Sequence, residues 1–267
     1  GSSRFLRKDR WGLFGAFSFG WNIAAEDFFS VNENIINQLK PRVSWGTLGN
    51  QNTKSYYPMY LLQTVKTNGG SWLMGDSKPT VAGMPGTLSS SLTWETVQSL
   101  NIGFELGMLR NRLNINFDYF IRKKLDLVGP ASEVASIYGS GMPASNNTDL
   151  RTKGWEIAAS WRDKIGQINY NIGFNMADSR SFVDKNPNES KSLSTYYKDQ
   201  ELGAIWGYVT HGIAKSQSEM DEWIKDNNPS WGSGLGEGDI MFEDLNGDKV
   251  INEGAYTVDD PGDRKII

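Results

Sequence analysis

The sequence predicts an all-β chain, a segment of an antiparallel transmembrane β-barrel with long external loops, on three observations. Apolar side chains recur at every second position over stretches of about ten residues, a period that belongs to strands. The intervening positions carry Asn, Gly and carboxylates rather than the Lys and Thr of a soluble sheet. Aromatic residues such as Trp94, Tyr119, Phe120, Trp155 and Trp161 gather near the ends of these stretches, as in a girdle at a membrane interface. The clearest case is Leu113, Ile115, Phe117, Tyr119 and Ile121 on one parity, against Arg112, Asn114, Asn116, Asp118 and Arg122, with Phe120 as the exception.

Two further stretches repeat the pattern. Leu100, Ile102, Phe104, Leu106 and Met108 alternate with Asn101, Gly103, Glu105 and Gly107, and Ile168, Tyr170, Ile172, Phe174 and Met176 alternate with Asn169, Asn171, Gly173 and Asn175. Weaker alternations run through Leu13, Phe17, Phe19, Trp21 and Ile23, through Leu39, Val43 and Trp45, and through Trp155, Ile157, Ala159 and Trp161. That makes about six strands. Leu109–Asn111 and Asp163–Gly166 read as tight turns, whereas 50–91, 129–150 and 184 onward are long and rich in Gly, Ser, Asn and Pro. An up-and-down order puts the tight turns on one side of the sheet and the long loops on the other. Ala24–Gln38, on the tight-turn side, is acidic and amphipathic enough for one or two helical turns.

Composition narrows the function classes. The net charge of -4 and the absence of any basic run longer than Arg122-Lys123-Lys124 exclude a general attraction for nucleic acid. With Cys 0, neither disulfides nor thiolate metal sites exist, and with His211 as the single histidine no triad or His-based metal cluster is possible. His211 reads as an ordinary strand residue. The carboxylate pairs Glu237/Asp239 and Asp259/Asp260 have no recognisable acid/base arrangement, so the chain is not expected to be an enzyme. Gly69-Gly70 and the GSGLGEG run at 232–238 lack the Lys-Ser/Thr of a phosphate loop. No stretch of 18 apolar residues exists, which argues against a membrane helix and leaves a barrel open. The start, Gly1-Ser2-Ser3-Arg4, has no signal-peptide pattern.

From pattern alone, a soluble β-sandwich remains the alternative: a carbohydrate-binding module with a structural calcium site, its apolar parity turned inward. Strands of about ten residues exceed the usual five or six and match the nine to eleven that cross a bilayer.

Several segments also resemble a known family. LTWETVQSLNIGFELGMLRNRLNINFDYFIRKKLDLV (92–128), KGWEIAASWRDKIGQINYNIGFNMADSRSFV (153–183) and GDIMFEDLNGDKVIN (238–252) resemble the C-terminal half of the SusC/RagA family of TonB-linked outer-membrane transporters. RWGLFGAFSFGWNIAAEDFF and LKPRVSWGTLGNQN resemble the strands that precede them. The resemblance implies a larger plugged barrel of about 22 strands, of which this chain supplies about six as an internal fragment. It implies a place in a Bacteroidetes-type outer membrane and import of oligosaccharides or peptides. The implied partners are a SusD-like lipoprotein, the TonB complex through regions outside this chain, the remaining barrel, and outer-membrane lipid.

By strand parity, residues 1–183 hold the membrane strands and connecting loops, and 184–267 form one extracellular excursion. Within it, 203–214 has strand character, and Ser218–Lys225 a short helix with Ser218 and Asp221 as a capping pair. Asp244, Asn246 and Asp248 occupy positions 1, 3 and 5 of an EF-hand-type loop, with the Val250 carbonyl at 7 and Asn252 at 9, a pattern suited to Ca2+. Lys249 stands where the sharp-turn Gly is expected and Ala255 where the bidentate Glu is expected, with Glu253, Asp259 or Asp260 as substitutes. A turn whose Asx side chains bond their own backbone is the competing account. Trp206, Tyr208, Trp223 and Trp231 are candidates for stacking on a sugar substrate, or for a small core.

Overall fold

The computed structural model describes residues 1–51, 65–66, 69–82, 89, 92–129, 142–231 and 234–267. Two compact units emerge, Gly1–Pro187 and Asn188–Ile267.

The first unit is one antiparallel sheet built from β1 (Ala16–Gly20), β2 (Ile36–Asn50), β5 (Glu95–Met108), β6 (Leu113–Gly129), β7 (Ser145–Ile165) and β8 (Ile168–Lys185), paired in that order. A small separate hairpin joins β3 (Val65–Lys66) to β4 (Val81–Ala82). Each sheet strand pairs with its sequence neighbour in the sheet, as alternation with short turns requires. The last turn is shorter than the sequence implies: pairing continues to Ile165↔Ile168, leaving only Gly166 and Gln167, with Gly166 at φ 61. The first central residue of such a two-residue loop needs positive φ, which glycine adopts without steric cost. Leu109, Arg110 and Asn111 are all left-handed, and this turn is held from outside. Asn37 Oδ1 accepts from the Asn111 amide at 3.1 Å, and Arg110 Nε donates to Asn34 Oδ1 at 2.6 Å.

The strands exceed the expected ten residues, reaching 17 in β6, 21 in β7 and 18 in β8. Residues 145–150, expected to be loop, are therefore strand. Asn146 explains part of this: its side chain bonds both the amide and the carbonyl of Thr93, substituting for ladder bonds where the sequence loses its apolar rhythm. Ala24–Gln38 holds a single 3-10 turn, Ile23–Ala25, before β2 begins. Much of the 50–91 and 129–150 expectation, and part of the GSGLGEG run, lies outside the described residues.

The second unit has two small antiparallel pairs. β9 (Trp206–Tyr208) lies beside β12 (Arg264–Ile266), and β10 (Thr210–Ile213) beside β11 (Ile240–Phe242). The helix α1 spans Gln217–Asn227. Its cap is Ser216, not Ser218: the Ser216 hydroxyl accepts from the Glu219 amide at 3.3 Å, and Glu219 Oε2 accepts from the Lys215 amide at 2.7 Å. Ser216 and Glu219 make the full Ser-x-x-Glu spacing, while Ser218 and Asp221 lie within the helix and Asp221 accepts from Gln217 Nε2 at 2.9 Å. Ala214, Met220, Trp223, Met241 and Ile251 form a closed core, with Tyr208, Ile224, Leu235 and Phe242 packed around it.

Candidate functional site

The sheet has two chemically distinct faces, and its register shows how they are built. Leu106, Ile115, Ala159 and Phe174 lie in one cross-strand row, and Phe104, Phe117, Ile157 and Met176 in the next, all on the apolar parity. On this parity Phe17 is 61%, Ile102 50%, Ile172 64%, Phe174 56% and Met176 51% exposed, while Phe104, Leu106, Ile115, Phe117 and Ile157 are half-buried. A sandwich buries this face beneath a second sheet, and in Gly1–Pro187 no other sheet packs on it among the described residues. An apolar face that continues from strand to strand with no sheet packed on it belongs to a barrel wall facing lipid.

The opposite face is polar and internally bonded. Arg42, Gly103, Asp118 and Glu156 form one cross-strand row on β2, β5, β6 and β7. Because Gly103 has no side chain, Arg42 crosses over β5 to Asp118, with Nη2 to Oδ2 at 2.6 Å. A Cβ at Gly103 would collide with Asp118 Oδ1 and the Phe117 carbonyl. Arg42 Nε also lies 3.8 Å from Glu105 Oε1, and Gln38 Nε2 donates to Glu105 Oε2 at 3.0 Å. Glu95, only 5% exposed, accepts from Asn50 Nδ2 at 2.7 Å and from the Val128 amide at 3.1 Å. Such a lattice of Asn, Gln, Arg and carboxylates suits the wet interior of a large barrel.

The chain matches the family model described as TonB dependent receptor-like, beta-barrel over residues 1–259. It belongs to that family. The TonB-dependent receptor SusC of Bacteroides thetaiotaomicron is 25% identical over 268 residues, 95% of this chain and 25% of its own length. TonB-dependent receptor P3 of Formosa agariphila is 24% identical over 281 residues, 100% of this chain and 26% of its own. The solved structure of the RagAB peptide importer in the closed-closed state shares the fold, with a TM-score of 0.63 at 19% identity over 80% of this chain and 23% of that one. The chain thus spans about a quarter of the length of these relatives. As a member of this TonB-dependent receptor barrel family it is an outer-membrane protein of the Bacteroidetes type, and the family is one of receptors rather than an enzyme class.

In the second unit of this family member, Asp244, Asn246 and Asp248 come together in one turn. Asp244 Oδ1 accepts from the Gly247 amide at 2.7 Å and Oδ2 from Lys249 at 2.8 Å. Asn246 Oδ1 accepts from the Asp248 amide and Asp248 Oδ1 from Val250, while the Val250 carbonyl accepts from Asn252 Nδ2 at 3.0 Å. The turn thus satisfies its own donors, as an Asx-rich turn does. Burial raises the Asp244 pKa, but bonds from the Lys249, Gly247 and Asp248 backbone and from Asp263 outweigh it and hold the carboxyl below its ordinary value.

Of the proposed completing acids, Asp259 pairs with Lys191 at 2.7 Å, Asp260 caps the Ala255 amide at 2.9 Å, and Glu253 is exposed. The acid that does reach the turn is Asp263, fully buried, accepting from the Leu245 and Asn252 amides at 2.9 Å each. Sequence spacing missed it because it lies 11 residues beyond Asn252, and only the fold brings it back. Among the described residues no group of three or more His, Cys, Asp or Glu side chains is arranged for a metal.

The aromatic candidates separate. Trp223 is 8% exposed and donates to the Phe242 carbonyl at 3.1 Å, so its ring belongs to the core and leaves little surface for a ligand. Tyr208 packs between Trp231 and Phe242, with ring centroids 5.1 and 5.2 Å away. Desolvation, followed by the charge of Glu253, raises the Tyr208 pKa. Trp231 is 40% exposed, and Trp206 donates to the Tyr197 hydroxyl at 3.2 Å. His211 is exposed on β10.

Proposed function

We propose that this chain is part of the barrel of a TonB-dependent outer-membrane importer for nutrients such as oligosaccharides or peptides. It works with a SusD-like surface lipoprotein and with energy delivered through the TonB complex. The observation that carries the reading is the sheet with an apolar face open along its length and a bonded polar face behind it. Likeness to the TonB-dependent receptor SusC supports the receptor class, and RagAB, a peptide importer by name, is in keeping with peptides as one substrate class. Residues 184–267 are then external, with Trp206, Tyr208 and Trp231 as the aromatic surface nearest to incoming substrate. The test is deletion of the gene for the intact protein in its host, followed by growth on defined oligosaccharides and peptides as sole nutrient. Loss of growth on one substrate, restored only when TonB coupling is intact, supports the reading; unchanged growth and uptake on all of them overturns it.

A second reading concerns the 244–252 turn, which we propose as a Ca2+ site that stiffens the external unit. Asp244, Asn246, Asp248 and the Val250 carbonyl supply the oxygens, and Asn252 stands at the water-mediated position. Supporting it, Lys249 has φ 65, the left-handed conformation that such a loop demands at the position normally held by glycine. Each bonded carboxylate oxygen retains further acceptor capacity. Calorimetric titration of the intact protein with Ca2+ decides the matter. Binding that disappears in D244N/D248N supports the site, and no calcium-dependent heat leaves the turn as a self-bonded Asx structure.

A further inference from the structure

Past the row shared by Ile102, Tyr119 and Trp155 the strands run on toward the long loops, and there the backbone ladder loses its regularity. The β5–β6 pairing stops at Thr96↔Leu125, the β6–β7 register shifts on both sides of Leu127, and Asp126 sits at φ 55. A bulge deprives backbone groups of their usual ladder partners, so other groups have to bond them. At these strand ends side chains do so.

Glu95, the first residue of β5, is 5% exposed. Its Oε2 accepts from Nδ2 of Asn50, the last residue of β2, at 2.7 Å, and its Oε1 accepts from the Val128 amide of β6 at 3.1 Å. One carboxylate therefore holds the ends of three strands. Next along, the Asp126 amide donates to Asp149 Oδ1 of β7 at 2.8 Å, and the Asp126 carbonyl accepts from Asn146 Nδ2. Asn146 also reaches across β6 to the residue stretch before β5, meeting the Thr93 amide at 3.0 Å and the Thr93 carbonyl at 3.1 Å. Thr148 of β7 then donates to Asn186 Oδ1, just past the end of β8, at 3.0 Å.

These bonds form a belt across β2, β5, β6, β7 and the exit from β8. The long connections leave from these same strand ends: 51–94 between β2 and β5, 130–144 between β6 and β7, and 186 onward after β8. A ladder bond joins two neighbours, whereas Glu95 and Asn146 each serve partners on different strands. Losing one partner leaves a shared polar group under-bonded and lets water reach its other bond, so the bonds of the belt depend on one another.

We propose that the belt built on Asn50, Glu95, Asn146, Asp149 and Thr148 makes the external strand ends one cooperative unit. The roots of the three long connections open and close together while the ladder below the Ile102–Tyr119–Trp155 row stays paired. A ligand or partner that displaces one root thereby shifts the others, which couples binding events on separate connections. The inference goes beyond the transport reading, because the belt is a property of the bonded strand ends whatever the chain imports.

The experiment is hydrogen exchange on the intact protein in nanodiscs, read at single residues by mass spectrometry at the Thr93, Asp126 and Val128 amides. Substitutions are placed at the two ends of the belt, Asn50→Ala on β2 and Thr148→Ala on β7; neither side chain bonds any of the three amides. Each variant should speed exchange at all three by about tenfold, with amides 113–119 unchanged. In N50A/T148A the acceleration should be smaller than the product of the two single effects, because the first break already frees the unit. Thr148→Ser, which keeps the hydroxyl, should exchange like the wild type. Acceleration at Val128 alone in Asn50→Ala, single effects that multiply in the double variant, or equal acceleration across 113–119 would each overturn the proposal.

Discussion

In the sheet unit Ile172, Phe174 and Met176 are 64%, 56% and 51% exposed, whereas in Asn188–Ile267 Met220 and Ile251 are fully buried. Side chains of the same kind obey opposite rules within one chain. The second unit behaves like any small domain in water: a capped helix and four short strands close over Met220, Trp223 and Ile251, and polar turns cover the outside. Among the described residues the sheet unit has no comparable buried cluster, with Phe5, Leu92 and Val183 as its buried apolar side chains, and it places its polar lattice on the face opposite its apolar one. The contrast identifies the surroundings of each part. Where apolar groups hide, the solvent is water; where they form a continuous uncovered face, the solvent is lipid.

The contrast is broken most strongly by inverting it at a single position. Ile115→Arg, on the lipid-facing parity, should destabilise the assembled barrel by about 2–4 kcal/mol, while Asn116→Lys, one residue along on the wet face, should cost less than about 1 kcal/mol. Urea unfolding of the intact protein in liposomes checks this; similar costs at both positions would remove the distinction between the faces.

A second change targets the water-facing unit. Asp263→Ala removes a fully buried acceptor and leaves the Leu245 and Asn252 amides without their partner, for a loss of about 1–3 kcal/mol. Hydrogen exchange should show faster exchange at 244–252 with β5–β8 unchanged; equal acceleration in the sheet would mean the units are not independently stabilised.

The smallest expected effect is on pH. Asp244 has a folded pKa below its unfolded value, so its stabilising contribution is present above about pH 4 and is lost as the pH falls through the lower folded value. Acid titration followed by NMR at Asp244 should report this. In D244N the acid sensitivity of the turn should diminish, and an unchanged titration would contradict the assignment.

The two units also differ in how much of them was legible in the sequence. The sheet was readable because its rule is local: alternation between Leu113 and Ile121 specifies strand, face and register together, since a one-residue slip would exchange lipid for water along the whole strand. What was not readable were the strand extensions, where Asn146 and Glu95 support pairing by contacts distant in sequence. The second unit follows no such rhythm. The spacing of Asp244, Asn246 and Asp248 marked a turn, but Asp263 is recruited to it only by tertiary folding, and Trp223 could not be told from a surface aromatic without knowing what packs on it. The helix cap was displaced by two residues because two serines compete there, and the choice depends on which acid reaches back.

The most direct test is a cysteine scan of residues 113–121 in a cysteine-free form of the intact protein, helped by the absence of cysteine from this chain. Each variant is reacted in liposomes with a membrane-impermeant, water-soluble maleimide and, separately, examined for quenching by a lipid-borne quencher. The predicted result alternates: positions 114, 116 and 118 react from water, while 113, 115, 117 and 119 are quenched from lipid. A reversed alternation, or uniform aqueous reactivity, would contradict the account that this sheet is a barrel wall with lipid on its apolar side.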